Sequence, residues 1–448
     1  MFIATAGWTQ VIDDPQISPT KYDYTQVARQ ITSGCHNKYE QAKAIYRWLC
    51  DNISYDTSFS IYTADRCWEQ RKGVCQAYSE LFYRLAEAVG MKTVIVRGDA
   101  KPSDGHTEGH AWIFAIVEGD NTGIMIDPTW GAGSVDGSEF TRSKNDNSWF
   151  HVNPYWMIFT HFPDDERFQM LPQPIGRTQF EALPAIKPMW GEYGLDAEEI
   201  FNLCMSGNAD LPNIYNSGVG KLRITEMPMQ GTLRVGERYR FAIQKSEQCE
   251  IALIDNTLHD KWQLQDGTYY IDYTPSSAGN LHLGLKTDGQ KYATIIEYNI
   301  ATPTADDLAK LEAYDPLLMP EVSRLDNFDA EALRKHGIDG AKLLEAVRNG
   351  SVKSLPAFYD TGGDCAIDEM PLNGTLQAGK SYTFTLRPRN GAKWAIINDG
   401  KWYRTWATDA ETGAISMTVV PETPGNLVLA VQLKEGESYE YCISFEVK

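Results

Sequence analysis

The chain has 448 residues, beyond the size at which one apolar core usually keeps growing, so two to four domains are expected. With 42% hydrophobic and 23% charged residues it has the composition of an ordinary folded protein, which argues against long disorder. The formal net charge of -19, from 41 Lys and Arg against 60 Asp and Glu, disfavours nucleic acid and anionic lipid as partners, and no apolar run approaches the ~20 residues of a membrane span.

Met1-Phe2-Ile3-Ala4 carries neither a basic segment nor a long apolar core, so no secretory signal is visible. The expectation is a cytoplasmic protein, or an exported or cell-surface one whose leader has been removed. Ala42, Ile45, Tyr46, Trp48 and Leu49 follow helical spacing, and that helix is left through Asp51-Asn52. A second stripe, Tyr78, Leu81, Phe82, Leu85 and Val89, predicts a helix that Gly90 can end. Cys75 falls in its first turn, behind Gly73, whose conformational freedom suits a tight turn into the helix.

Further along, 93–96 is strand-like, 98–109 reads as a polar loop, and 111–117 and 123–127 read as two short strands. If these two form a hairpin centred between Glu118 and Gly119, His110 faces Asp127 directly across it. A one-residue slip would send the two side chains to opposite faces.

This arrangement has chemical content. Unpaired N–H groups and the positive dipole end of a helix favour a thiolate at Cys75, and they can also receive an oxyanion. Asp127 would fix the tautomer of His110 and leave the other ring nitrogen to take the thiol proton. Cys75, His110 and Asp127 are therefore expected as nucleophile, base and orienter. The substrate cleft is expected to involve Gln70 as a helper donor, Trp112 on the face of His110, Trp130 at the rim and His106 on the edge. His161 with Asp164 and Asp165 has the residue types of a metal site, but such a loop more often packs or caps a helix, and no metal is expected. The remaining seven of the eight cysteines have neither CxxC nor zinc spacing and read as buried or incidental thiols.

A repeat occupies the second half. Ile224-Thr225-Glu226-Met227-Pro228 returns as Ile367-Asp368-Glu369-Met370-Pro371, and Gly236, Tyr239 and Phe241 return as Gly379, Tyr382 and Phe384. Alternating strands between Gly, Asn and Asp turns predict a small antiparallel β-sandwich in each copy, preceded by a helical lead-in at 197–205 and 341–347. Trp262 and Trp402 sit at equivalent positions and are read as core residues.

The motifs Ile45-Tyr46-Arg47-Trp48, Arg71-Lys72-Gly73-Val74-Cys75, Gly109-His110-Ala111-Trp112 and Ile126-Asp127-Pro128-Thr129-Trp130 together resemble the transglutaminase-like superfamily, papain-related enzymes with a Cys-His-Asp triad. Pro154-Tyr155-Trp156-Met157-Ile158 and His161-Phe162-Pro163-Asp164 are similar to the extension of kyphoscoliosis-peptidase-like members. Ile113 stands where many relatives carry Asn.

The resemblance covers about residues 25 to 190 and implies a papain/transglutaminase-like domain of helices packed on an antiparallel sheet over 1–192; with the repeat, the chain reads as α+β, the rest being a lead-in plus Ig-like sandwich over 193–302, a connector over 303–336, and a second lead-in plus sandwich over 337–448. It implies a cysteine peptidase or amidase acting on peptides or proteins, or else a protein-glutamine transglutaminase or deamidase. A binding scaffold built on an inactive module and two adhesive sandwiches is the non-enzyme alternative. Animal transglutaminases use calcium, but the sequence holds no EF-hand-like loop and no cofactor is expected.

Overall fold

The computed structural model describes residues 17–118, 122–144, 146–207, 209–287, 289, 291–359, 365–388 and 392–448. Met1 to Ala4 and the proposed hairpin centre at Gly119 lie outside them. The first half begins with helices α1 (Thr25–Ile31) and α2 (Lys38–Asn52), the latter capped by the Asn37 side chain on the Glu40 N–H. Strand β1 (Ser54–Tyr55) runs parallel to β2 (Lys72–Gly73), with α3 (Ala64–Gln70) between them. Helix α4 (Cys75–Ala88) then buries Ala77, Tyr78, Leu81, Phe82, Leu85 and Ala86, the stripe expected from the sequence.

That helix packs on a sheet built from β3 (Thr93–Ser103), β4 (His106–Glu118), β5 (Thr122–Ile126), β8 (Phe150–Val152) and β9 (His161–Pro163), in the order β8-β5-β4-β3-β9 with every pair antiparallel. Between β5 and β8 lie α5 (Pro128–Ala132) and a hairpin of β6 (Gly133–Asp136) and β7 (Glu139–Arg142). Helix α6 (Pro154–Met157) precedes β9, and α7 (Arg177–Ala182), α8 (Met189–Glu192) and α9 (Ala197–Met205) follow it.

Two readings of this region are corrected. The expected loop over 98–109 is mostly strand: β3 and β4 form a long hairpin that pairs Gly98 with His110 and Ala100 with Glu108. Its polar residues misled because this end of β4 faces solvent, so alternation with an apolar face is lost. The β4–β5 register pairs Ile113 with Ile126, two residues away from the expected one, with an irregularity between Ile116 and Glu118. An even slip keeps every side chain on its face, so His110 and Asp127 still share one, diagonally rather than directly opposed.

The second half holds two sandwiches of the same plan. In the first, a sheet containing Asn213–Ile214, Ala293–Ile300, Gly279–Lys286 and Glu250–Ile254 faces one made of Leu222–Glu226, Tyr239–Lys245, Thr268–Tyr273 and Gln263–Gln265. The second repeats this order with Ala357–Phe358, Glu440–Val447, Gly425–Gln432 and Lys393–Asn398 against Cys365–Glu369, Tyr382–Pro388, Ile415–Val419 and Ala407–Thr408. Even the bulges recur, at Ile224/Glu226 and Ile367/Glu369. One short strand in each, Thr232–Leu233 and Thr375–Leu376, pairs parallel rather than antiparallel.

Helices at Ala305–Tyr314, Pro320–Ser323 and Ala330–Lys335 fill the connector, and Gly340–Arg348 is the second lead-in. Trp402 departs from its expected core role: it is 42% exposed, against Tyr439 and under the Arg404 guanidinium, because it lies on a short edge strand. Among the described residues no helix is long and apolar enough to cross a membrane.

Candidate active site

Cys75 is the first residue of α4, entered through an extended Val74 whose N–H donates to the Ile61 carbonyl. The first intrahelical bond runs from the Tyr78 N–H to the Val74 carbonyl, so the N–H groups of Cys75, Gln76 and Ala77 have no acceptor within the helix. Gly73 serves a different purpose from the expected turn. It lies in β2, where a Cβ would meet the Ala77 Cβ at 2.7 Å and Cys67 Sγ at 3.1 Å, so glycine lets the chain pass close beneath the helix. One turn on, Ser79 Oγ donates to the Ala111 carbonyl at 3.1 Å, fixing the helix to β4 beside His110.

His110 Nε2 lies 3.0 Å from Asp127 Oδ2, with Asp127 fully buried. Asp127 caps α5: its Oδ1 accepts from the Thr129 N–H at 2.8 Å and the Trp130 N–H at 3.2 Å, and Pro128 occupies the first helical position, where no N–H is missed. Pro128 thus both ends the strand and starts the helix.

A residue that sequence reasoning left aside completes the arrangement. His161 Nε2 lies 3.2 Å from the same Asp127 Oδ2, while its Nδ1 lies 2.9 Å from Thr160 Oγ1. With the threonine hydroxyl donating to Nδ1, Nε2 carries the proton and donates to the carboxylate. The sequence grouped His161 with the neighbouring Asp164 and Asp165, whereas its ring meets the distant Asp127. Strand β9 delivers His161 because Gly98 gives it room: a Cβ there would meet the Phe162 carbonyl oxygen at 2.1 Å.

The charges follow from these contacts. Burial opposes ionisation of Cys75, but its hydrogen bond to His110, the charge of that ring and the Ala111 N–H hold the thiol below its ordinary value. Burial would lower His110, yet Asp127 and Cys75 together raise it well above an ordinary imidazole. Asp127 is held far below the usual carboxylate range against its own burial by His110 and His161. Burial pushes His161 down to about 4, so it stays neutral. With Nε2 of His110 on Asp127, Nδ1 is the nitrogen left for the thiol.

The expected cleft residues separate. Trp112 is fully buried behind the imidazole, stacked on His110 at 6.1 Å between centroids and edge-on to His161 at 4.9 Å, so it walls the site from inside. Trp130 is half-buried, 5.7 Å from His110 and 4.7 Å from His161. His106 is exposed near Glu108 on the face of His110, about 13 Å further along β4 at the usual strand rise. Gln70 is exposed at the end of α3.

Residues 25–154 match the family model described as the transglutaminase-like superfamily. The N-terminal domain is transglutaminase-like. Similar proteins include the kyphoscoliosis peptidase of Mus musculus, 29% identical over 177 residues that cover 36% of this chain and 26% of that protein. Another is the Lim and transglutaminase domain protein ltd-1 of Caenorhabditis elegans, 25% identical over 194 residues, 38% of this chain and 27% of that protein. The chain thus spans about a quarter of the length of the curated relatives it matches. Among solved structures, a putative cysteine protease from Cytophaga hutchinsonii overlaps at a TM-score of 0.22 and 20% identity, covering 29% of this chain and 46% of that one.

Within the transglutaminase-like domain, His110, Asp127 and His161 are also the group among the described residues whose atoms, all within 4.8 Å of one another, could hold a metal ion. Both imidazoles are already hydrogen-bonded to one carboxylate oxygen. Cys35, Cys50, Cys67, Cys75, Cys204 and Cys249 are free thiols. Of these Cys75 is the one whose thiol is shifted down, whereas burial raises Cys50, Cys67 and Cys204.

Proposed function

We propose that the protein is a thiol acyl-transfer enzyme acting on peptide or protein amides. The observation that carries this is the chain of contacts from a helix-start thiol through His110 to a buried, doubly capped Asp127. Cys75 Sγ attacks the amide carbonyl carbon and forms an S–C bond, while the oxyanion turns toward the free N–H groups of the α4 start. His110 holds the thiol proton and gives it to the leaving amine as the C–N bond breaks. Water then attacks the acyl-enzyme, His110 takes its proton, and the C–S bond breaks to release the acid and restore the thiol. Asp127 stays ionised throughout and steadies the imidazolium.

Hydrolysis is favoured over transfer to an amine by the likeness to proteins named as peptidases. The His110 contact supports the acyl-transfer reading over a metal centre, since the imidazole faces a thiol as well as a carboxylate. The test is a mass-spectrometric survey of peptide and glutamine substrates with and without added amine, using Cys75→Ala as the control. Cleaved products that vanish in the variant are expected, and amine adducts would move the reading to transamidation. A survey with no Cys75-dependent product would overturn the enzyme reading.

A further inference from the structure

Beside Cys75 lies a loop that buries Ile61 in the core yet carries an aromatic side chain outward. Residues 56–61 are fastened at both ends to the strand that leads into α4: the Asp56 N–H donates to the Gly73 carbonyl at 3.0 Å, and the Val74 N–H donates to the Ile61 carbonyl at 3.1 Å. Inside the loop the buried Asp56 carboxylate accepts from the Ser58 N–H, the Ser60 N–H and the Ile61 N–H at 3.2, 2.7 and 2.9 Å. Its oxygens also accept from the Ser58 and Ser60 hydroxyls at 2.6 and 3.1 Å.

This over-determined turn holds Phe59 at φ 52°, a left-handed conformation that a bulky aromatic residue rarely adopts. The strain directs the ring outward, for Phe59 is 61% exposed and Tyr62 is 51% exposed. Tyr55 joins them, edge-on to Phe59 at 6.1 Å and paired in the short parallel sheet with Gly73, two residues before Cys75. A single exposed aromatic is unremarkable, but Phe59 on a strained loop with Tyr62 just after it, both beside the strand that leads into Cys75, are not.

We propose that Tyr55, Phe59 and Tyr62 form the side-chain subsite of the acyl-transfer site and select peptides with an aromatic or large aliphatic residue near the attacked carbonyl. This rests on the reading of Cys75 as nucleophile. A substrate bonded to Cys75 then runs from the start of α4 past this platform, since Val74 beside the thiol is hydrogen-bonded to Ile61 of the loop. At ~3.3 Å per residue, a side chain one to three positions from the carbonyl reaches the platform.

The probes are acetyl-tripeptidyl acyloxymethyl ketones, one all-glycine and three with Phe placed at each position in turn, with iodoacetamide to calibrate the thiol. The readout is the rate of Cys75 labelling by each ketone divided by its rate with iodoacetamide. One Phe probe is expected to outpace the glycine probe by about tenfold or more in the intact chain. That advantage is expected to fall below about threefold in a Phe59→Asn, Tyr62→Ser variant, in which Asn tolerates the left-handed backbone. No Phe advantage in the intact chain, or an advantage that survives in the variant, overturns the subsite while leaving the nucleophile in place. Iodoacetamide that labels Cys75 no faster than Cys35 overturns the acyl-transfer reading and the subsite with it.

Discussion

Asp127 receives two imidazoles on one oxygen and two backbone N–H groups on the other, which explains how a fully buried carboxylate stays charged. His161 shares Oδ2 with His110 and so disperses part of the charge that would otherwise concentrate on the His110 imidazole. His161→Leu removes that donor. We expect turnover to fall about 10- to 100-fold as Asp127 loses a fixing contact, and the alkaline limb of the pH profile to move up. The sign follows from the proposed mechanism, in which activity is lost as His110 deprotonates: a carboxylate with one donor fewer holds the His110 proton more tightly. His161→Gln, whose amide N–H can serve the same oxygen, should recover part of both effects. An alkaline limb that moves down would mean that Asp127 drifts from His110 and that His161 acts through packing alone. The meeting of His110 with Asp127 was readable from Gly109-His110-Ala111-Trp112 and Ile126-Asp127-Pro128, because each motif carries its own local chemistry. His161 was not readable, since its partner lies 34 residues away and meets it only through β9.

At the scale of elements, the site depends on close approach of backbones. Gly98 sits between His110 on β4 and Pro163 on β9, and Gly73 runs beneath α4. Neither adopts a left-handed backbone, so their need is for space rather than for conformational freedom. Gly98→Ala puts a methyl group against the Phe162 carbonyl, and backbone cannot give way as a flexible side chain can. The expected cost is about 1 to 3 kcal/mol in denaturant unfolding, together with a loss of turnover like that of His161→Leu, since displacing β9 withdraws His161. Wild-type turnover in a destabilised Gly98→Ala chain would separate β9 from the chemistry. Helices α2 and α4 were legible because their apolar residues recur at helical spacing. The β3–β4 hairpin was not, because its solvent-facing polar end resembles a loop, and the β4–β5 register depends on an irregularity near Glu118 that no pattern announces.

Across the whole molecule, the sandwiches were legible as a repeat, down to matching Ile-x-Glu-Met-Pro segments that form matching bulges. What no pattern announced is that the lead-in helices pack backward. Phe201 of α9 meets Tyr155 at 5.3 Å and Phe159 at 6.2 Å in the transglutaminase-like half, and Leu343 and Leu344 of the second lead-in are buried in the same apolar cluster as Leu311, Leu317 and Val322 of the connector. That cluster runs from Tyr24 to Leu355, whereas the second sandwich has its own, from Ile367 to Val447. Burial sets cooperativity, so the chain should unfold by calorimetry in two transitions, a larger one for the first cluster and a smaller one for the second sandwich. A chain ending at Pro356 should lose only the smaller transition, keep the larger within a few degrees, and retain Cys75 reactivity, because none of the residues around the thiol belongs to the second cluster. A truncated chain that fails to fold, or an intact chain that melts in one step, would show that the second sandwich stabilises the remainder through its contacts at Phe358 and His336.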